Sequence, residues 1–331
     1  KGKDIVLNLD LDIQEKLVEI QKETMLKVKK MKNTDYFDTN YSIISNPNTG
    51  GIIAISGLKL VGIKFSDVSS NIMLTSYTVG SVIKGASNTV GYLNNVIVKG
   101  KRIKDGCVKI HYVPEKCSFK NLGYLDDITA LKQSSNYYQF MTAIKLTGNT
   151  YKYNMDLPVT VNDFNKYRDI FAQFGLGSST GIDFPKENIG IKGKTISSDL
   201  YLNLAIGQYD TYTPLQILNY INTIANSGIR YRMSFVQKDS EVLNTIPLDK
   251  DGFNRIKEGF YQVVNGGTAN NYVDRNLKAA GKTGTAQSYY SKDITTINTT
   301  FAVFMPKDNP KYSMVIMNPN ISIENAKVKY N

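Results

Sequence analysis

The stretch Gly80-Ser81-Val82-Ile83-Lys84 decides how the rest of the chain is read. If it opens a helix, Ser81 and Lys84 stand three residues apart on one face and can reach each other. A serine hydroxyl is a weak nucleophile until a base removes its proton, and a lysine serves as that base only when burial or a nearby cation lowers its pKa. Serine and lysine are common, so the pair alone fits a turn of a solvated helix equally well. Downstream, Ser134-Ser135-Asn136 places a hydroxyl and an amide on one short loop between helical runs, suited to relaying a proton and holding a substrate carbonyl. Further on, Gly281-Lys282-Thr283-Gly284-Thr285-Ala286-Gln287 begins a strand. Its glycines allow close approach of a ligand backbone, and Lys282 with two threonine hydroxyls suits a carboxylate. A phosphate loop is excluded, because the order G-x-x-x-x-G-K-[ST] is missing and a strand follows. The glycines within 174–181 also lack the strand–helix–strand context of a nucleotide site.

Together and in this order, S-x-x-K, S-x-N and K-T-G form the pattern of penicillin-recognising serine acyltransferases. The chain resembles the transpeptidase domain of a class B penicillin-binding protein, of the elongation or division type found in low-G+C Gram-positive bacteria, clostridia among them. The likeness includes Tyr41–Gly57, Phe174–Gly177, Thr180–Pro185, Ala205–Gln208, Thr213–Gln216, Ala225–Gly228 and Gly267–Ala269, and extends over nearly all 331 residues. It implies an α+β fold of the penicillin-binding protein and serine β-lactamase kind, an antiparallel sheet flanked by helices with an all-helical subdomain. It also implies that Ser81 is the acylated nucleophile, Lys84 its base and Ser134 the relay to the leaving group. Asn136 would bind an amide of the substrate, Lys282 would keep Lys84 neutral and attract the substrate carboxylate, and Thr283 and Thr285 would hold that carboxylate beside Gly284. The backbone N–H groups of Ser81 and Thr285 would form the oxyanion hole. The implied reaction cross-links peptidoglycan stem peptides through an acyl-enzyme, with β-lactams acylating the same serine and no cofactor taking part. A membrane-embedded glycan polymerase would be the partner, and the outer face of the cell membrane the location. Two other readings remain. One is a β-lactamase, whose deacylating E-x-x-L-N has only Asp199-Leu200-Tyr201-Leu202-Asn203 as a counterpart. The other is a non-catalytic β-lactam sensor or wall-binding scaffold.

Working outward, Asp4–Leu9 reads as a strand, followed by an amphipathic helix with Ile13, Leu17, Ile20 and Met25 on one side. Tyr41–Ile44 and Gly51–Ile55 form a hairpin around Ser45–Gly50, and residues 56–80 fit no clean period. Asp126–Leu146 reads as a buried helix pair. Thr213-Pro214-Leu215-Gln216 is a capping box opening a helix that Gly228 stops, and another helix covers Asp251–Val264. Strands return at Thr299–Met305 and Tyr312–Met317. The expected organisation is a single domain over 1–331, with a sheet from about 1–56 and 279–318 and a helical part over about 81–265. By the resemblance, an N-terminal anchor and pedestal are missing from this stretch.

Between the first two motifs, Asp105-Gly106-Cys107-Val108-Lys109-Ile110-His111-Tyr112-Val113-Pro114-Glu115-Lys116-Cys117 holds both cysteines and the single histidine. Two thiolates, an imidazole and a carboxylate on one compact loop suit tetrahedral structural zinc, with Asp105, Cys107, His111 and Cys117 as ligands and Glu115 as the substitute for Asp105. A Cys107–Cys117 disulfide, or two unrelated thiols, are the alternatives. The family does not supply this cluster.

Composition narrows the partners. Forty Lys+Arg against 29 Asp+Glu leave a net charge of +11, which favours anionic surroundings such as cell-wall polymer, acidic lipid or nucleic acid. Scattered lysines without a recognition motif argue against nucleic acid. No apolar run reaches the roughly 18 residues of a membrane span, and Lys1–Asp4 has no signal-peptide character. With 41% apolar residues a sizeable core is available, and disorder is excluded.

Overall fold

The computed structural model describes residues 4–324. Its centre is a six-stranded antiparallel sheet built from β1 (Thr39–Ser45), β2 (Ile52–Val61), β3 (Lys64–Asp67), β4 (Ala280–Ser291), β5 (Ile294–Met305) and β6 (Tyr312–Ile323). The strand order is β4-β5-β6-β1-β2-β3, so the early and late segments meet in mid-sheet, with Tyr41 opposite Met317 and Ser45 opposite Ser313. The β1–β2 hairpin closes as the turn residues require: the Asn46 side chain accepts from the Asn48 N–H, and Gly50 adopts the left-handed φ of 78°.

Eight helices are used below: α1 (Leu11–Lys29), α2 (Lys84–Leu93), α3 (Asp127–Lys132), α4 (Asn136–Leu146), α5 (Val161–Gln173), α6 (Ser198–Leu204), α7 (Pro214–Ala225) and α8 (Lys250–Val264). Helix α1 lies on the β1–β2 hairpin, where the Gln14 side chain exchanges two hydrogen bonds with the Ile55 backbone. Helix α7 begins with the expected capping box, Thr213 and Gln216 each bonding the other's backbone N–H, and all of its residues are buried. A helix buried on every side is a core element, its Gln216, Asn219 and Asn222 finding partners inside, and α7 sits between the sheet and the other helices. One continuous apolar core joins strands β1, β2, β4, β5 and β6 to helices α2 through α8.

Two expectations need correction. Asp4–Leu9 is not a strand of the sheet. It forms a short tie in which Leu7 bridges Val236 and the N–H of Asn8 donates to Phe235 O at 2.8 Å, while Ile5, Val6 and Leu7 remain exposed. Residues 56–80 are largely ordered: β2 runs on to Val61, β3 pairs back onto it, and Asn71–Leu74 makes one helical turn. The sheet's N-terminal portion is therefore 39–67 rather than 1–56, and its last strand extends to Ile323. The 81–265 part is mainly helical but also holds three two-stranded ribbons, one of them Cys107–Val108 with Lys116–Cys117.

Candidate active site

Ser81 lies in a tight helical turn, Gly80–Ile83, that leads directly into α2. The Lys84 N–H donates to Ser81 O, so the two residues stand one turn apart, as their spacing predicts. Close packing holds this turn on three sides. The Gly80 N–H donates to Gly207 O at 2.9 Å, and the Tyr220 hydroxyl of α7 donates to Val82 O at 2.9 Å. On the third side is β4: a Cβ at Gly284 would overlap Val79 O, and one at Gly80 would overlap Thr285 O. Glycine at these positions lets the nucleophile turn rest directly on the K-T-G strand.

Lys84 is fully buried, and its amine bonds Ser134 O at 2.7 Å and Asn136 Oδ1 at 2.6 Å, with Ser134 Oγ at 3.4 Å. From β4, the Lys282 amine donates to Ser134 Oγ at 2.9 Å and to Thr283 O at 2.9 Å. The Ser134 hydroxyl thus stands between two lysine amines. Its residue sits at the α3–α4 junction with a left-handed φ of 56°, which turns the loop so that Ser135 can cap α4. The Thr283 hydroxyl meets that of Thr268 at 2.7 Å, while Thr285 is exposed on β4 and its carbonyl receives the Gln208 side chain at 3.3 Å. As the first strand in the sheet order, β4 is an edge with one side open to a ligand strand.

Burial sets the charges. It pushes the Lys84 amine far below the usual lysine range, and the neighbouring Lys282 pushes in the same direction, while Asp105 opposes them. Lys282, equally buried, is lowered to about 7 by desolvation. Sequence reasoning marks Lys282 for direct contact with a carboxylate. In the folded protein it is fully buried and reaches the cleft through Ser134.

The structure brings Ser81, Lys84, Ser134, Asn136, Lys282, Thr283, Gly284 and Thr285 into one cleft, but it does not gather the proposed zinc ligands. Cys107 and Cys117 stand opposite each other in their ribbon and are joined in a disulfide, which removes both thiolates. The His111 Nδ1 pairs with Asp156 at 2.8 Å, and its ring stacks on Tyr112. Asp105 is buried and accepts from the hydroxyls of Ser118 and Ser135. The four-ligand zinc reading is therefore corrected to a disulfide-closed loop. Asp199 and Asn203 both engage Lys116 of that loop, at 2.8 and 2.9 Å.

Sequence reasoning misses the packing roles of Gly207 and Tyr220, since nothing in their local pattern distinguishes a clamp on the nucleophile turn from ordinary turn or core residues. Asp105 is noticed for the wrong reason: its spacing from the cysteines looks like a ligand set, whereas its partners Ser118 and Ser135 are separated from it in sequence.

Comparison with known proteins identifies the family. The family described as the penicillin binding protein transpeptidase domain matches residues 41–330. Penicillin-binding protein 2A of Bacillus subtilis is 35% identical over 347 residues, covering 96% of this chain and 48% of that protein. Penicillin-binding protein H of the same organism is 34% identical over 348 residues, covering 97% and 49%. The solved structure of penicillin-binding protein 2B from Streptococcus pneumoniae strain R6 superposes with a TM-score of 0.88 at 28% identity, covering 97% of this chain and 56% of that one. The chain belongs to the transpeptidase-domain family of penicillin-binding proteins, in its class B branch. It spans about half the length of the curated relatives it matches.

Proposed function

We propose that this chain is a peptidoglycan D,D-transpeptidase domain that works through an acyl-serine and is the target of β-lactams. The observation carrying this reading is the buried Lys84 amine, tied to Ser134 O and Asn136 Oδ1 beside a second buried lysine. A neutral amine has two hydrogens and one lone pair. With both hydrogens donated to these oxygens, the lone pair is left to take the proton of Ser81. Ser81 Oγ then bonds to the penultimate D-alanyl carbonyl carbon of a stem peptide. The resulting oxyanion is received by the N–H groups of Ser81 and Thr285, a device that contributes on the order of 3 kcal/mol. The C–N bond breaks, and the departing D-alanine amine takes the proton by way of Ser134. A second stem amine attacks the ester carbon and the C–O bond to Ser81 breaks, the amine's surplus proton returning through Ser134 and Lys84 to Ser81 Oγ. All groups needed for these steps belong to the chain and its substrates. Acylation by a fluorescent penicillin, followed by cross-linking of stem peptides in a reconstituted system, tests the reading. A stable adduct without cross-linking would favour the sensor, and rapid nitrocefin turnover the β-lactamase.

Lys282 should act on Lys84 through charge. Its presence lowers the Lys84 pKa, so Lys282→Met should raise that pKa and move the acidic limb of the acylation pH profile to higher pH. The charges in play are Lys282 from β4 and Asp105 from the loop before the ribbon, and only the first is removed. A limb that stays in place or moves to lower pH would defeat this role.

The Cys107–Cys117 bond fits an oxidising compartment, and we place the domain on the outer side of the cell membrane with a glycan polymerase as partner. Among the described residues no helix is long and apolar enough to cross a membrane. The disulfide closes a loop with a sequence separation of 10, and such a loop contributes about 3 kcal/mol. Reductant should lower Tm by roughly 5 °C, and a chelator should leave it unchanged. The oxidised protein should weigh about two mass units less than the reduced one, one hydrogen per sulfur.

A further inference from the structure

We propose that Asp105 is a positioning residue for acylation, bracing Ser118 and Ser135 so that α4 presents Asn136 to Lys84; this rests on the transpeptidase reading above. The carboxylate is buried, with Oδ1 accepting from Ser118 Oγ at 2.9 Å and from Ser135 Oγ at 2.7 Å, and Oδ2 accepting from the Leu122 N–H at 3.3 Å. An ionised carboxylate can only accept, so both serine hydroxyls must point their hydrogens toward it. Their oxygens are then acceptors in the opposite direction. Ser118 Oγ takes the Tyr137 N–H at 3.3 Å and Ser135 Oγ takes the Tyr138 N–H at 3.0 Å. These are free amides of the first turn of α4, which a helix leaves without internal partners. The residue that starts this turn is Asn136, whose Oδ1 lies 2.6 Å from the Lys84 amine. The Cys107–Cys117 bond supports the brace from outside, because Asp105 lies two residues before one cysteine and Ser118 directly follows the other. One carboxylate thus fixes the direction of two hydroxyls, and through them the start of α4, whose Asn136 bonds the Lys84 amine.

A brace of this kind should affect the chemical step more than ligand capture, since small displacements of a reacting group cost about 10-fold to 100-fold in rate. For Asp105→Ala, the acylation rate constant at saturating fluorescent penicillin should fall about 10-fold to 100-fold, with the half-saturating concentration little changed. Asp105→Asn keeps an acceptor oxygen at the same place and should recover most of the loss. Ser135→Ala, which removes only one hydroxyl, should show the same selective fall and stands in if Asp105→Ala does not fold. Hydrogen exchange at the Tyr137 and Tyr138 amides reads the brace with no reaction involved, and Asp105→Ala or Ser135→Ala should speed it. Unchanged exchange overturns the proposal. So does a rate constant within about twofold of wild type in the variants, or a loss confined to half-saturation. Wild-type protein that is never acylated would count against the transpeptidase reading, while the exchange result would still decide the brace.

Discussion

Replacing Ser81 with alanine should abolish covalent labelling by a fluorescent penicillin completely, with the circular dichroism spectrum and Tm essentially retained. The adduct needs an oxygen nucleophile one turn from the buried Lys84 and against the β4 strand, and the Gly80–Ile83 turn supplies it through Ser81. Ser134 is another hydroxyl near the lysines, but its Oγ already receives the Lys282 amine at 2.9 Å and stands 3.4 Å from Lys84. The alanine variant removes one oxygen from a half-buried turn whose position is set by backbone contacts with Gly207, Tyr220 and β4. Folding should therefore survive. Intact-mass measurement after exposure to penicillin reads the result, and an adduct still present on Ser81→Ala, mapped to another residue, would remove Ser81 from its role.

Lys84→Met should lower acylation by about 10²-fold to 10⁴-fold, the range a positioned general base contributes. The substitution keeps the volume of the buried stem but leaves Ser134 O and Asn136 Oδ1 without their donor, so some stability is lost as well. The pH dependence of that loss separates the two effects. The folded-state pKa of Lys84 lies far below its unfolded value, so between these values the unfolded chain binds the extra proton. Wild-type protein therefore loses stability as pH falls from about 10 toward neutrality, and the methionine variant escapes this contribution. The gap in Tm between the two should narrow on acidification. A gap that widens, or a variant acylated at the wild-type rate, would show that Lys84 is neither neutral in the folded protein nor the base.

The chemistry of the cleft was more legible in the chain than its shape. Ser81, Lys84, Ser134, Asn136 and Lys282 lie in three short patterns whose order carries meaning, and capping residues such as Thr213 and Gln216 announce α7 by local bonding alone. Elements specified by distant partners were less visible. Residues 56–67 lose clean alternation because the polar Ser56 takes an inward place and Gly57 has no side chain, yet β2 continues there because β1 and β3 provide bonds on both sides. Asp4–Leu9 has the apolar content of a strand, but its backbone pairs with the segment around Phe235 rather than with the sheet, so it remains a tie. The cysteine loop misleads for a related reason. Ligand spacing can be counted along a chain, whereas the ribbon register that pairs Cys107 with Cys117, and the buried serines that claim Asp105, depend on tertiary placement.

The middle of the sheet bears on how the protein comes into being. Strand β1 lies between β2 and β6, so residues near position 41 wait for partners near position 317. Contacts so distant in sequence are slow to form, and an unpaired strand edge left open in the meantime invites wrong pairing. A chain emerging N-terminus first would expose β1 for most of its synthesis, and the site would have no K-T-G strand until β4 arrived. Acylation competence should therefore appear abruptly, only after the segment through Ile323 is free to dock. Until that moment the half-built sheet would carry an open β1 edge, the condition under which a strand pairs elsewhere.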